Sequence, residues 1–429
     1  MRLIYSALLY VIAPLALARL AWLGIRDRGY LRGWRDRFGI APPPRAAGKL
    51  VWIHAVSVGE VQAARPLVER LRAAHSGCPL LVTTTTPTGA AAAMRDLGPG
   101  VEHRYFPFDL PGAVGRFLDG ARPRALVVME TEIWPNLFAA CAARAIPVAL
   151  VNARMSSGSY AGYRRVPGLV AQTLRCVSLV AAQTGDDAAR LAALGADPAR
   201  TIVSGSVKFD VRLAPSVREQ AQPLRRTLGV DRPVLIAAST HEGEDVPVLE
   251  AFRTVRTAHP GALLILAPRH PQRARAVAEL CRARALSAVT RSSGTSAARA
   301  EVLIADTLGE LVLFYALADV AFVGGSLVPV GGHNMLEPAA LGVPVLTGPH
   351  LFNFPAVAAL LVQAGAARIV NDAAELGQAA TQLLGNASDR ARAGEAGRAA
   401  VEANRGAIER VMRALGPLLA VSAADPTPP

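Results

Sequence analysis

From Leu50 onward, short apolar runs alternate with longer stretches whose apolar residues recur at helical spacing. LVWIHAV (50–56) leads into a helical pattern near 60–75, PLLVTTTT (79–86) into a helix through AAAAMRDL, and ALVVMET (125–131) into a helix from Trp134 to Ala145. PVALVNA and LVAAQ close this first series. Such runs, separated by helices, predict parallel strands with crossover helices on both faces. The alternation pauses over LAPSVREQAQPLRRTLG (213–229), which is polar and contains prolines, as a connection between domains would be. It resumes with PVLIAAST, ALLILAPR, EVLIAD, VAFVGGS and VPVLTG, each followed or preceded by helical spacing, and helices continue to about residue 415. The pattern therefore predicts two Rossmann-like, doubly wound α/β domains, 50–212 and 231–415, joined by a linker at 213–230 and ended by a flexible tail at 416–429. Ligands are expected at the carboxyl ends of the sheets.

The N-terminus breaks this pattern. LIYSALLYVIAPLALA (3–18) carries no charge, and with Arg19 snorkelling the apolar stretch reaches Ile25, near the ~20 residues a spanning helix requires. RDRGYLRGWRDR follows, with Arg26, Arg28, Arg32, Arg35 and Arg37 against two aspartates. Such a flank stays in the cytoplasm by the positive-inside rule, and Tyr30 and Trp34 suit an interface. Ala16-Leu17-Ala18 imitates a signal-peptide cleavage site, but the arginines lie on the wrong side of the apolar run for export. Residues 1–25 are read as a membrane-anchor helix, spanning or half-inserted, and 26–49, with Pro42-Pro43-Pro44, as a basic juxtamembrane segment and linker.

Composition narrows the classes. Of 429 residues, 52% are hydrophobic and 18% charged, which excludes a disordered chain. The formal net charge of +13 favours anionic partners, namely nucleic acid, anionic lipid or phosphorylated substrates, without choosing among them. Cys78, Cys141, Cys176 and Cys281 show no C-x-x-C spacing and read as reduced core thiols.

Candidate chemistry sits at the strand ends. VWIHAVSVGE (51–60) delivers Glu60 to the start of a helix, where it is either a helix-start carboxylate or, if water is excluded, a general base. TTTTPTG (83–89) offers hydroxyls for a sugar or for helix capping. METEIWPNL (129–137) carries Glu130 and Glu132, which point to opposite sides of an extended chain. NARMSSGSYAGYRR (152–165) is a cationic, hydroxyl-rich loop suited to an acidic acceptor or simply to solvent. GSVKFD (205–210) brings Lys208, able to neutralise a departing phosphate. In the second domain STHEGE (239–244) and APRHP (267–271) end strands, with Arg269 placed for an anion. FVGGSLVPVGGHNMLEPAALGVPVLTGP (322–349) has two Gly-Gly pairs whose backbone N–H groups are expected to be open to a phosphate, a helix from Asn334, and Glu337 in reach of a ribose. A dinucleotide fingerprint and a metal-chelating D-x-D are both missing from the sequence.

In combination WIHAVSVGE, TTTTPTG, METEIWPN, NARMSSGSYAGY, GSVKFD, LAPRHP, DTLGEL and GGHNMLEP resemble one family, the lipid A Kdo (3-deoxy-D-manno-octulosonic acid) transferases of the GT-B glycosyltransferase fold. The resemblance implies a CMP-Kdo donor and a tetra-acylated lipid A precursor, lipid IVA, as acceptor at the cytoplasmic side of the inner membrane, for lipopolysaccharide core biosynthesis. It implies an inverting mechanism without metal or other cofactor, and no nucleic-acid partner. By position Glu60 becomes the general base, with Glu130 and Lys208 supporting the transition state. CMP would be held by Pro268, Arg269, Gly309, Glu310, Leu311, Asn334, Met335, Leu336 and Glu337. Met335 departs from the family pattern, which commonly has proline there. Two other readings compete: a GT-B enzyme using a UDP-sugar, and a non-catalytic membrane-associated binder of polyanions.

Overall fold

A computed structural model describes residues 1–26, 28–47, 50–74, 77–211, 213 and 216–420. The tail read from the sequence lies outside the described residues from 421 onward, as do positions 27, 48 and 49 of the juxtamembrane segment and 212, 214 and 215 near the linker. The chain divides into two compact units, one of residues 1–210 with 406–429, the other of residues 211–405.

The first unit is built on seven parallel strands: β1 (Val51–His54), β2 (Leu80–Thr84), β3 (Val101–Tyr105), β4 (Ala125–Met129), β5 (Val148–Ala153), β6 (Leu179–Ala182) and β7 (Thr201–Val203), in the order β3-β2-β1-β4-β5-β6-β7. Side chains alternate between the faces. Val51 and Ile53 enter a core with Val61, Leu67 and Leu71 of helix Val58–Ala74. Leu50 and Trp52 enter another with Phe117, Leu118, Phe138 and Leu174 from the helices of the opposite face. The chain runs outward from β1 through β2 to β3, then restarts at β4 on the other side of β1. The switch point, where such sheets bind ligands, therefore lies between the carboxyl ends of β1 and β4.

The second unit repeats the plan with β8 (Val234–Thr240), β9 (Leu263–Pro268), β10 (Ala288–Thr290), β11 (Val302–Ile304), β12 (Val320–Val323), β13 (Val345–Thr347) and β14 (Ala367–Ile369), all parallel, in the order β10-β11-β9-β8-β12-β13-β14. Its switch point lies between β8 and β12.

Three boundaries differ from the sequence reading. Most of the supposed linker is a helix, Val217–Leu228, which buries Ala221 and Leu228 in the core of the second unit. Its apolar residues are few because only one stripe faces that core. The final helix, Ala407–Ala420, belongs to the first unit and not the second, and its last five residues are helical, not tail. Ile408, Val411, Leu415 and Leu419 join Val51 and Leu71 in one core, and each such burial stabilises by about 1.5–3 kcal/mol. Two further contacts hold this helix: Arg70 pairs with Glu409 at 2.6 Å, and the Asp210 carboxylate accepts from the amide of Gly406 at 2.6 Å.

Candidate active site

Glu60 lies in the first turn of helix Val58–Ala74, directly after β1. Its Oε2 accepts from the amide of Val56 at 2.8 Å, and the Ser57 hydroxyl stands 3.5 Å from Oε1. The carboxylate thus closes its own turn yet keeps one oxygen weakly engaged. Burial pushes its pKa up to about 8, against the opposing bond from Val56, and the charges of Glu130 and Glu132 push the same way. A group that titrates this close to neutrality suits proton transfer.

Glu130 follows β4 at φ 56°, a left-handed residue that turns the chain sharply out of the strand. Its Oε1 lies 3.4 Å from Lys208 Nζ. Glu132, whose pKa burial also raises, points elsewhere, with Oε2 4.0 Å from His54 Nε2. The two glutamates therefore have different surroundings, as alternation along an extended chain suggests.

The histidine beside Glu60 in sequence does not share its site. His54 is fully buried in β1, bonded through Nδ1 to the Thr83 hydroxyl at 2.9 Å and stacked on Phe106 at 3.8 Å. Burial pushes its pKa down to about 3, so it is a neutral core residue. The threonine run is likewise absorbed: Thr86 caps helix Pro87–Asp96 by accepting from Gly89 N, Thr85 donates to Val56 O, and Thr84 meets His103 Nε2. In the arginine-rich loop Ser156 caps helix Ser157–Tyr163, and Arg154, Arg164 and Arg165 are exposed.

In the second unit, Pro268-Arg269, residues 309–311 and residues 334–337 follow β9, β11 and β12, which lie in the stretch β11-β9-β8-β12. Arg269 is exposed, with its amide held by Thr240 O at 2.9 Å. Gly309 has φ +84° and open space around it, which admits a ligand close to the backbone. Glu310 is paired with Arg291 at 2.9 Å and bonded to the Thr307 hydroxyl, which hold its pKa below the usual range. Leu311 opens helix Leu311–Leu317. Asn334 accepts from Leu336 N at 3.1 Å and donates to Glu337 Oε1 at 3.2 Å, and burial pushes the Glu337 pKa up. Met335 is the residue before helix Leu336–Ala340, at φ −86°, with its side chain fully buried. The helix begins at Leu336, two residues later than Asn334.

One expectation fails here. The first Gly-Gly pair is not open to a phosphate, because Glu244, fully buried, already occupies it. Its carboxylate accepts from the amides of His241, Gly325, Ser326 and Leu327 at 2.6–2.9 Å. Gly324 N donates to Ala238 O, and Gly332 N to Gly325 O. Glu244 is thus the strut of the switch-point loop, which motif reading missed. Sequence gave only its place between a strand end and a helix. Beside this loop His241 and His333 stack with their Nε2 atoms 2.8 Å apart, and burial lowers both pKa values, that of His333 to about 4. Asn152 was also missed: fully buried at φ 58°, it uses Oδ1 to accept from Val207 N at 3.1 Å and so fixes the segment bearing Lys208.

An apolar cavity of about 310 Å³ lined by Val51, Leu71, Cys78, Leu80, Arg124, Leu419 and Ala420 lies at the amino ends of β1 and β2, away from Glu60.

A family model described as 3-deoxy-D-manno-octulosonic-acid transferase (kdotransferase) matches residues 32–211. A 3-deoxy-D-manno-octulosonic acid transferase of Haemophilus influenzae is 38% identical over 97% of this chain and 99% of its own length. One of Bordetella pertussis is 42% identical over 95% and 98%. Among solved structures, a UDP-GlcNAc 2-epimerase of Neisseria meningitidis aligns with a TM-score of 0.56 at 14% identity, covering 86% of this chain and 99% of that one. That likeness shows the GT-B fold class of two Rossmann-like units and nothing of the substrate.

Proposed function

The chain belongs to the 3-deoxy-D-manno-octulosonic acid transferase family, and on that basis we propose that it transfers Kdo from CMP-Kdo to lipid IVA at the cytoplasmic face of the inner membrane. The observation that carries the chemistry is the placement of Glu60 at the switch point of the first sheet, where burial and the charges of Glu130 and Glu132 raise its pKa and Lys208 holds Glu130.

In this reading a hydroxyl of the acceptor loses its proton to Glu60 as its oxygen attacks the anomeric carbon of Kdo. The bond from that carbon to the phosphate oxygen breaks, and its electron pair leaves with CMP. Attack from the face opposite the leaving group inverts the centre in one step. Glu60 then returns the proton to solvent. Lys208 brings positive charge to the reacting centre, and Glu130 orients it. CMP is already a good leaving group, so a single base suffices and no cofactor is required. Pro268 and Arg269, Gly309, Glu310 and Leu311, and Asn334, Met335, Leu336 and Glu337 would hold CMP. Arg269 supplies charge for the phosphate, the open backbone at Gly309 allows close approach, and Glu337 suits a ribose hydroxyl. The helix Arg2–Arg26 and the exposed Arg28, Arg32 and Arg35 suit a diphosphorylated lipid at an anionic surface.

The test is to give the purified chain labelled CMP-Kdo or UDP-sugars with lipid IVA and to weigh the product lipid. Kdo added from CMP-Kdo alone is expected. Transfer only from a UDP-sugar would sink the donor assignment, and retention of lipid without turnover would replace the enzyme by a binder.

A further inference from the structure

Helix Arg2–Arg26 contains a 24-residue stretch, Arg2–Ile25, that is long and apolar enough to cross a bilayer, with a mean hydropathy of 1.9 over its best 18 residues. Crossing would put its two ends on opposite sides of the ~30 Å of hydrocarbon. Yet both ends are fastened to the first unit. Near the start, Tyr5 OH donates to Asp109 Oδ2 at 3.0 Å, and Ser6 Oγ lies 2.9 Å from Asn136 Oδ1. These bonds are shielded: Ser6, Asp109 and Asn136 are 9%, 5% and 5% exposed. Asp109 also accepts from the amides of Asn136 and Leu137, so one buried carboxylate organises the dock. Near the other end, Gly24 packs against the Leu31 side chain, and Gly33 against the Tyr105 ring of β3. Asp36 then accepts from Tyr105 N and pairs with Arg104.

Burial along the helix follows this docking. Ser6 and Gly24 are buried and Tyr5, Leu9, Ala13, Leu20 and Leu23 half-buried, which shelters one side near each end, while residues 14–19 are exposed all round. About half a turn away, Leu8, Val11, Leu15 and Trp22 are 53–73% exposed, at the i, i+3, i+7 spacing of a single face. Exposed Arg28, Arg32 and Arg35 follow the helix in the chain, and Arg37 does not join them, since it is buried against Tyr105. We infer that the helix lies flat in the interface of a bilayer bearing anionic headgroups, with its Leu8–Trp22 face in the acyl region and its N-terminus on the same side as the enzyme body. This deepens the membrane placement proposed above and rests on it. The exposed apolar residues call for lipid, while pulling the N-terminal end across a membrane would strip Asp109 and Asn136 of buried partners.

The experiment places Leu3→Cys in the full chain, with the parent as blank, and labels spheroplasts of a Gram-negative host with a membrane-impermeant maleimide. Labelling from outside is expected below a tenth of that after detergent solubilisation, with the chain in the membrane fraction. Outside labelling equal to the detergent total would overturn the flat orientation while leaving transfer activity untouched. Leu8→Asp with Val11→Asp is expected to raise the soluble fraction at least fivefold, and an unchanged partition would overturn the assignment of the lipid-facing stripe. A parent chain already soluble would defeat the membrane reading itself.

Discussion

Lys208 Nζ lies 3.4 Å from Glu130 Oε1, although β5 and β6 separate the strands that lead to them. Residues 204–208 achieve this by doubling back along the carboxyl edge of the sheet. Ser204 N is held by Ala182 O at the end of β6, and Val207 N by Asn152 at the end of β5. An asparagine tolerates the left-handed backbone needed to aim its amide along that edge. The half-buried ion pair itself contributes little stability, about 0–1 kcal/mol, so its importance is placement.

Lys208→Met and Glu130→Gln are each expected to lower kcat by about 10²-fold, as loss of one transition-state contact does. The double variant should lose little more than either single one, because the two residues act as a unit. Additive losses in steady-state kinetics would show that they act separately.

With Glu60 as base, kcat/KM should climb about tenfold per pH unit below its pKa of about 8 and level off above it. Glu130 is one of the charges that raise this pKa, so Glu130→Gln should move the midpoint to lower pH. Glu60→Ala should cost at least about 10²-fold at every pH with the fold intact by circular dichroism. A profile unchanged by Glu130→Gln would break the electrostatic link.

Stability should register the same carboxyl with the opposite sign to an ordinary acidic group. Folding raises the Glu60 pKa from 4.5 to about 8, so between those values the folded state binds the extra proton. Its contribution is present below pH 4.5 and is lost as pH rises through 8. Glu60→Gln removes that dependence. The variant's melting temperature, compared with wild type, is therefore expected to gain steadily from pH 5 to pH 8.5 in calorimetry.

Glu244→Gln keeps the volume but replaces one acceptor oxygen with an N–H₂ that faces amide donors. Each oxygen accepts two of the four bonds, so two are lost and two donors are left facing the new amide, a cost of at least about 2–3 kcal/mol. Guanidinium unfolding should show this loss, and CMP binding should weaken alongside it through distortion of the 325–327 loop.

The ten strands legible in the sequence are the inner five of each sheet, and the four that escaped, β3, β7, β10 and β14, are the edges. Inner strands are covered on both faces and must be continuously apolar, as VLIAAST and LLILAP are. Edge strands such as VEHRY and ARI are half solvated and carry charge, so nothing in their pattern separates them from loop. The same logic governs the site. Glu60, Glu130 and Lys208 stand at the ends of strands or beside glycine and could be singled out. Glu244 and Asn152 act on backbone amides, which leave no mark on the sequence that recruits them. The final helix joins a different unit from the one its place in the chain suggests, because amphipathic spacing shows that a helix has a buried face but not whose core receives it.

That helix also has a consequence for biosynthesis. Residues 211–405 interrupt the first unit, and Ile408, Val411, Leu415 and Leu419 complete its core last. On the ribosome, the inserted unit has all its strands before the unit that began earlier can close. The nascent first unit must wait with an open apolar seam beside Val51 and Leu71. A stop codon near residue 405 would therefore damage the half of the protein made first.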